Sequence, residues 1–301
     1  MLKKKGPLLL ASNHPNSFLD AIILNILFEQ PIWSLTRGDV FKYKYISKTL
    51  TALKMVPVYR VSEGVKNLNS NYETFGNCKK IFREKGIVLI FSEGKCINEW
   101  HLRPLKKGTA RLAIGSWSER TSLKEENIPL EVLPVGINYS SFRLFGKNIV
   151  INFGDIITKG DMAWHTVEGM RFQTFNHKLQ EQLNSLVFEI NKEDKQKKKE
   201  LLEKKTSRLK KIALIVPAII GWVIHLPLYW PVQKSVLRKT AHNDHYDSVM
   251  AAILLFTYPV YLLMISFLTF YFTKSPLSFF LLLFMPITAW CYVQLKPQLD
   301  E

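Results

Sequence analysis

Short apolar runs punctuate the first half of the chain and alternate with longer stretches of mixed polarity. The runs are rich in aliphatic and β-branched residues and are bounded by Gly, Pro or charged positions, which is typical of buried strands. They lie at residues 7–12, 55–59, 87–91, 130–137 and 149–153. Between them, apolar positions at helical spacing predict helices over residues 15–29, 65–85 and 108–118. Strands alternating with helices indicate an α/β layered domain over residues 5–160.

The polar residues around the first predicted helix specify where it begins. Asn13 is predicted to be its N-cap, and Pro15 fits the first helical turn, where a missing N–H costs nothing. Gly86 is expected to end the helix over residues 65–85.

The pattern changes after residue 160. Residues 165–210 show near-helical apolar spacing and predict one long helix or two, so residues 161–211 are interpreted as an amphipathic, basic connector. Its last part, residues 195–211, contains nine basic residues and two glutamates. Such a run is either a solvated helix face or the cytoplasmic flank of a membrane element, and the apolar stretch that follows at once favours the second reading.

Residues 212–296 form an apolar, membrane-associated region. Residues 249–272 and 277–293 carry no charge, and four residues separate them, so they predict a helical hairpin that inserts into a bilayer. Residues 212–230 contain two prolines and a glycine, and basic side chains follow them in the loop after residue 233. Because basic flanks prefer the cytoplasmic side, the two flanks argue against a full crossing by residues 212–230, and a re-entrant or interfacial path is the alternative.

Charge and cysteine content narrow the class of protein. With 41 basic and 25 acidic side chains, the 301-residue chain has a formal net charge of +16, which predicts an anionic partner. The apolar C-terminal third favours a phospholipid membrane over nucleic acid, which would not explain the hairpin. Three widely spaced cysteines make neither a disulfide framework nor a zinc pattern, and no secretory signal is expected at the N-terminus.

The stretch NHPNSFLD, residues 13–20, contains the first candidate for chemistry. His14 can act as a general base near neutral pH, and Asp20 could fix its tautomer and stabilise the imidazolium. By itself the pair is better explained as a capping turn followed by an aspartate that favours the helix dipole.

Three further stretches place polar residues at predicted strand ends. Arg60 in VPVYR could grip a phosphate with two parallel hydrogen bonds, and Glu93 in FSEGK follows a buried strand. Arg103, Lys106 and Lys107 precede a helix start and could neutralise a phosphate, although the two lysines could equally be surface charges.

Taken in order, NHPNSFLD, VPVYR, FSEGK and LPVGI resemble the four motifs of the glycerolipid acyltransferases, the family of glycerol-3-phosphate and 1-acylglycerol-3-phosphate O-acyltransferases. The resemblance covers about residues 5–160. It implies an α/β fold with a central, mostly parallel sheet, followed here by a C-terminal all-α membrane segment.

The same resemblance assigns roles to residues. His14 would be the general base and Asp20 its orienting partner. Arg60, Glu93 and Gly94 would belong to the glycerol-phosphate site, and Pro134 would lie in the motif associated with the acyl donor. The donor would be an acyl thioester, on coenzyme A or on acyl carrier protein, with no cofactor and no metal. The enzyme would be integral to the cytoplasmic membrane, with its catalytic domain facing the cytoplasm, and would serve phospholipid synthesis.

The first motif departs from the commonest family pattern, because five residues rather than four separate His14 from Asp20. Similar spacing occurs in the branch that acylates glycerol-3-phosphate and dihydroxyacetone phosphate. Two alternatives stay open: a catalytically silent lipid-binding protein of the same fold, and an acyltransferase for another lysolipid. A hydrolase is disfavoured because no nucleophile-elbow motif GxSxG appears.

Overall fold

The structure, a computed structural model, describes residues 2–59, 70–118, 130–162, 167–296 and 298–299. Its sheet has six strands in the spatial order β3-β2-β4-β1-β5-β6. The strands are β1 (Leu8–Ser12), β2 (Ile32–Arg37), β3 (Met55–Val58), β4 (Ile87–Phe91), β5 (Glu131–Tyr139) and β6 (Ile149–Phe153).

The sheet is parallel except at one edge. Strand β1 pairs in parallel with β4 and with β5, and β2 pairs in parallel with β3 and β4. Strand β6 runs antiparallel to β5, because Ser140 N–H donates to Asn148 O and Gly154 N–H donates to Pro134 O. The predicted α/β class with a mostly parallel sheet is therefore confirmed.

Nine α-helices accompany the sheet in the part of the chain that the structure describes. They are α1 (Phe18–Leu27), α2 (Lys44–Ala52), α3 (Ser70–Arg83), α4 (Lys107–Ser118), α5 (Glu168–Leu186), α6 (Lys195–Leu202), α7 (Arg208–Lys239), α8 (Tyr246–Thr273) and α9 (Leu281–Leu295). Side chains of α3, α4 and α5 join alternate residues of the strands in one buried apolar cluster. The two strands of the sheet centre, β1 and β4, are apolar except for Ser12 at the end of β1, as expected where both faces are covered.

The helix boundaries correct the predicted start of the first helix. Helix α1 begins at Phe18, so Asn13 is not its N-cap and Pro15 lies outside it. Of the two alternatives predicted for residues 165–210, one long helix or two, the described part shows two, α5 and α6, with α7 beginning at Arg208. Strand β2 and helix α2 were not predicted. Strand β2 is short, and polar residues interrupt its apolar pattern.

Contacts divide the chain into two compact units. The first consists of residues 1–15, 19–138 and 151–189, and the second of residues 16–18, 139–150 and 190–301. The second unit thus includes three residues of the NHPNSFLD stretch together with the C-terminal helices. The boundaries predicted from sequence, 5–160, 161–211 and 212–296, stay a prediction.

Three helices of the second unit are long and apolar enough to cross a membrane, as judged by length and composition: Arg208–Lys239, Tyr246–Thr273 and Pro276–Leu295. The last consists of a 3₁₀ turn, Pro276–Phe280, followed by α9. Helices α8 and α9 form the predicted hairpin around Lys274. Large apolar side chains point outward along it, with Phe256 75% and Leu277 79% exposed, and a bilayer would cover such a surface.

Helix α7 is bent and brings its two ends together. Lys147 pairs with Asp247, eight residues after the end of α7, while the next residue, Asn148, donates from Nδ2 to the carbonyl of Leu202, six residues before its start, at 2.8 Å. A straight helix of 32 residues would be about 48 Å long, whereas the segments that flank α7 begin and end beside these two adjacent side chains. Three prolines inside α7 account for the bending.

Contacts with α9 locate the bend. Near the start of α7, Lys210 Nζ donates to Gln294 Oε1 at 2.6 Å, and later in α7 the Tyr229 ring lies 5.1 Å from Lys296 Nζ. Between these two contacts, Gly221 packs so closely on Thr288 that an added Cβ would lie 2.2 Å from its carbonyl oxygen. Both arms of α7 therefore lead back toward the C-terminal end of α9, with the bend near Gly221 next to the middle of that helix.

Candidate active site

His14 and Asp20 meet at the carboxyl end of strand β1. The Nδ1 atom of His14 lies 2.8 Å from Oδ2 of Asp20, and the Asp20 side chain is completely buried. Because a carboxylate only accepts hydrogen bonds, the neutral imidazole that fits this contact has its proton on Nδ1 and its lone pair on Nε2. The His14 side chain is 16% exposed, so the ring is open to a substrate while its partner is not. This is the arrangement that a general base requires.

The five-residue spacing is accommodated in the loop between β1 and α1. Pro15, Asn16 and Ser17 lie outside the helix, and Asp20 is in its first turn. Ser17 has a φ of 54°, in the left-handed region that non-glycine residues rarely adopt. That backbone reversal lets a loop with one extra residue bring Asp20 back to the His14 ring.

Strand β4 supports His14 from the neighbouring position in the sheet. The Phe91 ring stacks on the imidazole with centroids 3.8 Å apart and planes 9° from parallel. The backbone N–H of His14 donates to Glu93 Oε2 at 2.9 Å, and its carbonyl accepts from the N–H of Ile97 at 3.2 Å. Ring and backbone of His14 are thus both fixed by residues at and beyond the end of β4.

Glu93 is buried and joins His14 to Arg103. Its Oε1 accepts from the backbone N–H of Arg103 at 2.9 Å, and its Oε2 accepts from Arg103 Nη2 at 3.1 Å as well as from His14. Arg103 Nη2 also donates to the carbonyl of Lys95. A buried carboxylate is stable only when it is paired and hydrogen-bonded, and Glu93 meets both conditions.

The side chains of Asp20, Glu93, His14 and Arg103 differ in how deeply they are buried. The carboxylates of Asp20 and Glu93 are 0% and 3% exposed, whereas the side chains of His14 and Arg103 are 16% and 17% exposed. The groups open to solvent are therefore a base and a guanidinium, with the carboxylates behind them. A surface of this kind suits an acceptor that carries both a hydroxyl and an anionic group.

The other predicted site residues differ in position. Gly94 adopts a φ of 70° in the turn after Glu93, a conformation that glycine takes without strain. Lys106 and Lys107 are exposed beside this turn, and the N–H of Lys106 donates to the carbonyl of Ser92 at 2.7 Å. Arg60 lies outside the described residues, so its predicted role in phosphate binding stays a prediction.

Pro134 is buried inside the sheet, in register with Ala11 of β1. Its ring faces Gly154, whose added Cβ would lie 3.2 Å from Pro134 Cβ. The structure does not place it beside the His14 ring among the described contacts. Its predicted association with the acyl donor stays a prediction.

Two residues that help to build the site were not identified from the sequence. Asn13 exchanges two hydrogen bonds with Ile137, donating from Nδ2 to the carbonyl at 2.9 Å and accepting from the N–H at 2.8 Å. Its side chain thereby continues the β1–β5 pairing up to His14, which replaces the predicted helix cap. Phe91 stacks on His14, and its only signal in the sequence is its place at the end of a strand, just before Ser92 and Glu93.

The first part of the chain matches a family model. Residues 1–138 match the family model described as Acyltransferase. The matched region includes His14, Asp20, Glu93 and Arg103. The match covers 138 of 301 residues and supports acyl transfer as the activity of this region. No curated protein matches the chain significantly.

Proposed function

We propose that the protein is a membrane-bound O-acyltransferase that moves a fatty acyl group from an acyl thioester to a glycerol-phosphate-type acceptor. The observation that carries the proposal is the 2.8 Å contact between His14 Nδ1 and the buried Asp20 carboxylate, within the region that matches the acyltransferase model. The acceptor proposed is glycerol-3-phosphate or 1-acylglycerol-3-phosphate, and the product would enter phospholipid synthesis.

The reaction follows from the tautomer of His14. Nε2 takes the proton from an acceptor hydroxyl as its oxygen attacks the thioester carbonyl carbon. A C–O bond forms, the tetrahedral intermediate collapses, and the C–S bond breaks. The imidazolium, stabilised by Asp20, then returns its proton to the leaving thiolate. The acceptor hydroxyl is the nucleophile, which explains why a catalytic serine is not required.

Phosphate recognition is proposed to rest on Arg103 and Arg60, because a guanidinium matches a phosphate with two parallel hydrogen bonds. Glu93 fixes the backbone and one Nη of Arg103, so part of the guanidinium stays available at the surface. Gly94 contributes the turn that holds Glu93 in this position. The alternative of a silent lipid-binding protein would leave the same basic surface without turnover.

An acceptor panel tests the function. The purified full-length chain in phospholipid vesicles would be given radiolabelled acyl-CoA or acyl carrier protein thioester, with glycerol-3-phosphate, dihydroxyacetone phosphate, lysophosphatidate or lysophosphatidylcholine. We expect labelled ester with at least one of the three phosphate-monoester acceptors. Ester on lysophosphatidylcholine alone would replace the acceptor class, and thioester binding without ester from any acceptor would favour the silent protein.

Membrane topology is the second part of the proposal. We propose that α8 and α9 cross the bilayer as a hairpin, with 28 residues in α8 and about 30 Å spanned by the 20 residues Pro276–Leu295. Helix α7 enters and returns on one side, because its two ends lie close together. Its basic ends, Lys210 and Lys211 at the start and Lys234, Arg238 and Lys239 at the finish, would then share the cytoplasmic face with the acyltransferase region.

Cysteine accessibility checks this topology. In a background with Cys78, Cys96 and Cys291 replaced, single variants Lys205→Cys, Lys239→Cys and Lys274→Cys would be labelled by a membrane-impermeant reagent in sealed vesicles. We expect the first two sites on the same face and Lys274→Cys on the opposite face. Opposite faces for Lys205→Cys and Lys239→Cys would mean that α7 crosses. Labelling of all three from one face would mean that the hairpin does not span.

A further inference from the structure

The loop that follows His14 is held by residues outside the region that matches the acyltransferase model. Residues 16–18 belong by their contacts to the second compact unit, together with residues 190–301. Within that unit, Ser17 Oγ and His245 Nδ1 form a hydrogen bond of 2.8 Å. His245 lies immediately before α8, the first helix of the hairpin.

This hydrogen bond falls on the strained residue of the loop. Ser17 has a φ of 54°, and a non-glycine residue keeps such a conformation only where its surroundings impose it. The residue lies between His14 and Asp20, in the loop that must reverse for the two side chains to meet. The His245 contact is therefore placed where it stabilises the conformation that brings Asp20 to the His14 ring.

A second, independent contact fixes the preceding residue. Asn16 donates from Nδ2 to Asp247 Oδ2 at 2.7 Å, and the same Oδ2 accepts from Lys147 Nζ. Asn16 is 1% and Asp247 7% exposed. Hydrogen bonds to a charged group in a buried place are stronger and more directional than those at a surface, so Asp247 holds Asn16 in a defined position.

We infer that His245 and Asp247 are positioning residues for the His14–Asp20 pair and act through Ser17 and Asn16. The inference rests on the proposed acyl transfer, since it concerns the base of that reaction. It adds that the start of the membrane hairpin sets the geometry of a catalytic loop more than 220 residues earlier in the chain. The position of the start of α8 therefore affects the catalytic rate.

The first test removes the hydrogen bond between His245 and Ser17. His245→Ala is expected to lower kcat about tenfold or more, with the KM of donor and acceptor within about twofold, because a small misplacement of the reacting groups costs rate rather than binding. His242→Ala, an exposed histidine of the same loop, is the matched control and should keep wild-type kcat. Rates are normalised to monodisperse protein recovered by gel filtration.

Glycine at position 17 separates positioning from general destabilisation. Glycine adopts a positive φ without strain, so the double variant Ser17→Gly/His245→Ala should recover most of the kcat lost in His245→Ala. A fault elsewhere in the second unit would not be relieved by this change. Unchanged kcat in His245→Ala, or a loss that Ser17→Gly does not relieve, would overturn the role of His245.

A reciprocal exchange tests Asp247. Asp247→Asn should lower kcat, because a neutral amide replaces the carboxylate that accepts hydrogen bonds from both Asn16 and Lys147. Asn16→Asp/Asp247→Asn restores one amide and one carboxylate and should recover part of the rate. Wild-type kcat in Asp247→Asn, or no recovery in the double variant, would overturn the role of Asp247. Absence of ester from the wild-type chain in the same assay would instead contradict the proposed function.

Discussion

Replacing His14 with alanine is expected to reduce kcat for acyl transfer by at least about 10²-fold, the scale of losing a positioned general base. Among the described residues of the site, the His14 ring offers Nε2 to take a proton, because its Nδ1 is hydrogen-bonded to Asp20. Binding of the thioester and acceptor should change little, since the imidazole acts on the proton that is transferred during the reaction. Steady-state kinetics on normalised, monodisperse protein measure the effect.

The control for this variant is His177→Ala. His177 lies in α5 with its side chain 76% exposed. Among the contacts of the described chain, its ring pairs with Glu181, whose side chain is also largely exposed. The loss of such a surface pair changes stability by about 1 kcal/mol at most. A folded His14→Ala protein that keeps more than about a tenth of wild-type kcat would contradict the assignment of His14 as the base.

Asp20→Asn is expected to have the second large effect, a fall in kcat of up to about 10⁴-fold, the effect that the wrong imidazole tautomer has in a Ser-His-Asp triad. The side chains have the same shape, and position 20 is completely buried, so packing is preserved. An amide can offer an N–H toward Nδ1, which favours the tautomer with the proton on Nε2 and removes the base. It also leaves the imidazolium without a counter-charge.

The measurement for Asp20→Asn is kcat together with thermal unfolding of the solubilised protein. Asp155→Asn, an exposed position after β6, is the matched control for removing one carboxylate from the same region. A well-folded Asp20→Asn enzyme with kcat within about threefold of wild type would show that the tautomer does not depend on Asp20.

Local pattern was sufficient for much of the fold. Strands β1, β3, β4, β5 and β6 were predicted because each is a short apolar run between Gly, Pro or charged residues. The hairpin of α8 and α9 was predicted because long uncharged stretches have few other stable environments. Strand β2 was missed because Ser34, Thr36 and Arg37 interrupt its apolar pattern.

Residues whose role depends on distant partners could not be predicted correctly. Asn13 is a residue type that often caps helices, but its side-chain amide hydrogen-bonds to Ile137, 124 residues away. Glu93 was expected at a strand end, yet its hydrogen bonds to His14 and Arg103 depend on how three segments meet. The left-handed φ of Ser17 has no sequence signal, because serine does not favour it.

The bend of α7 is a similar case. Its prolines and its two basic flanks favoured a path that does not fully cross the membrane, while its length and composition fit a crossing. The contacts of Lys147 and Asn148, and those of α7 with α9, show that it bends. A hydropathy pattern measures how apolar a segment is and does not record where a helix kinks.

The central claim is that His14 of this chain catalyses transfer of an acyl group to a hydroxyl. The most direct measurement is formation of labelled ester and release of free thiol by the purified full-length protein in vesicles, for wild type and His14→Ala under identical donor and acceptor concentrations. We expect equal amounts of ester and thiol with the wild type, and a fall in the rates of formation of both by at least about 10²-fold in His14→Ala. Equal rates for the two proteins, or thiol release without ester, would contradict it.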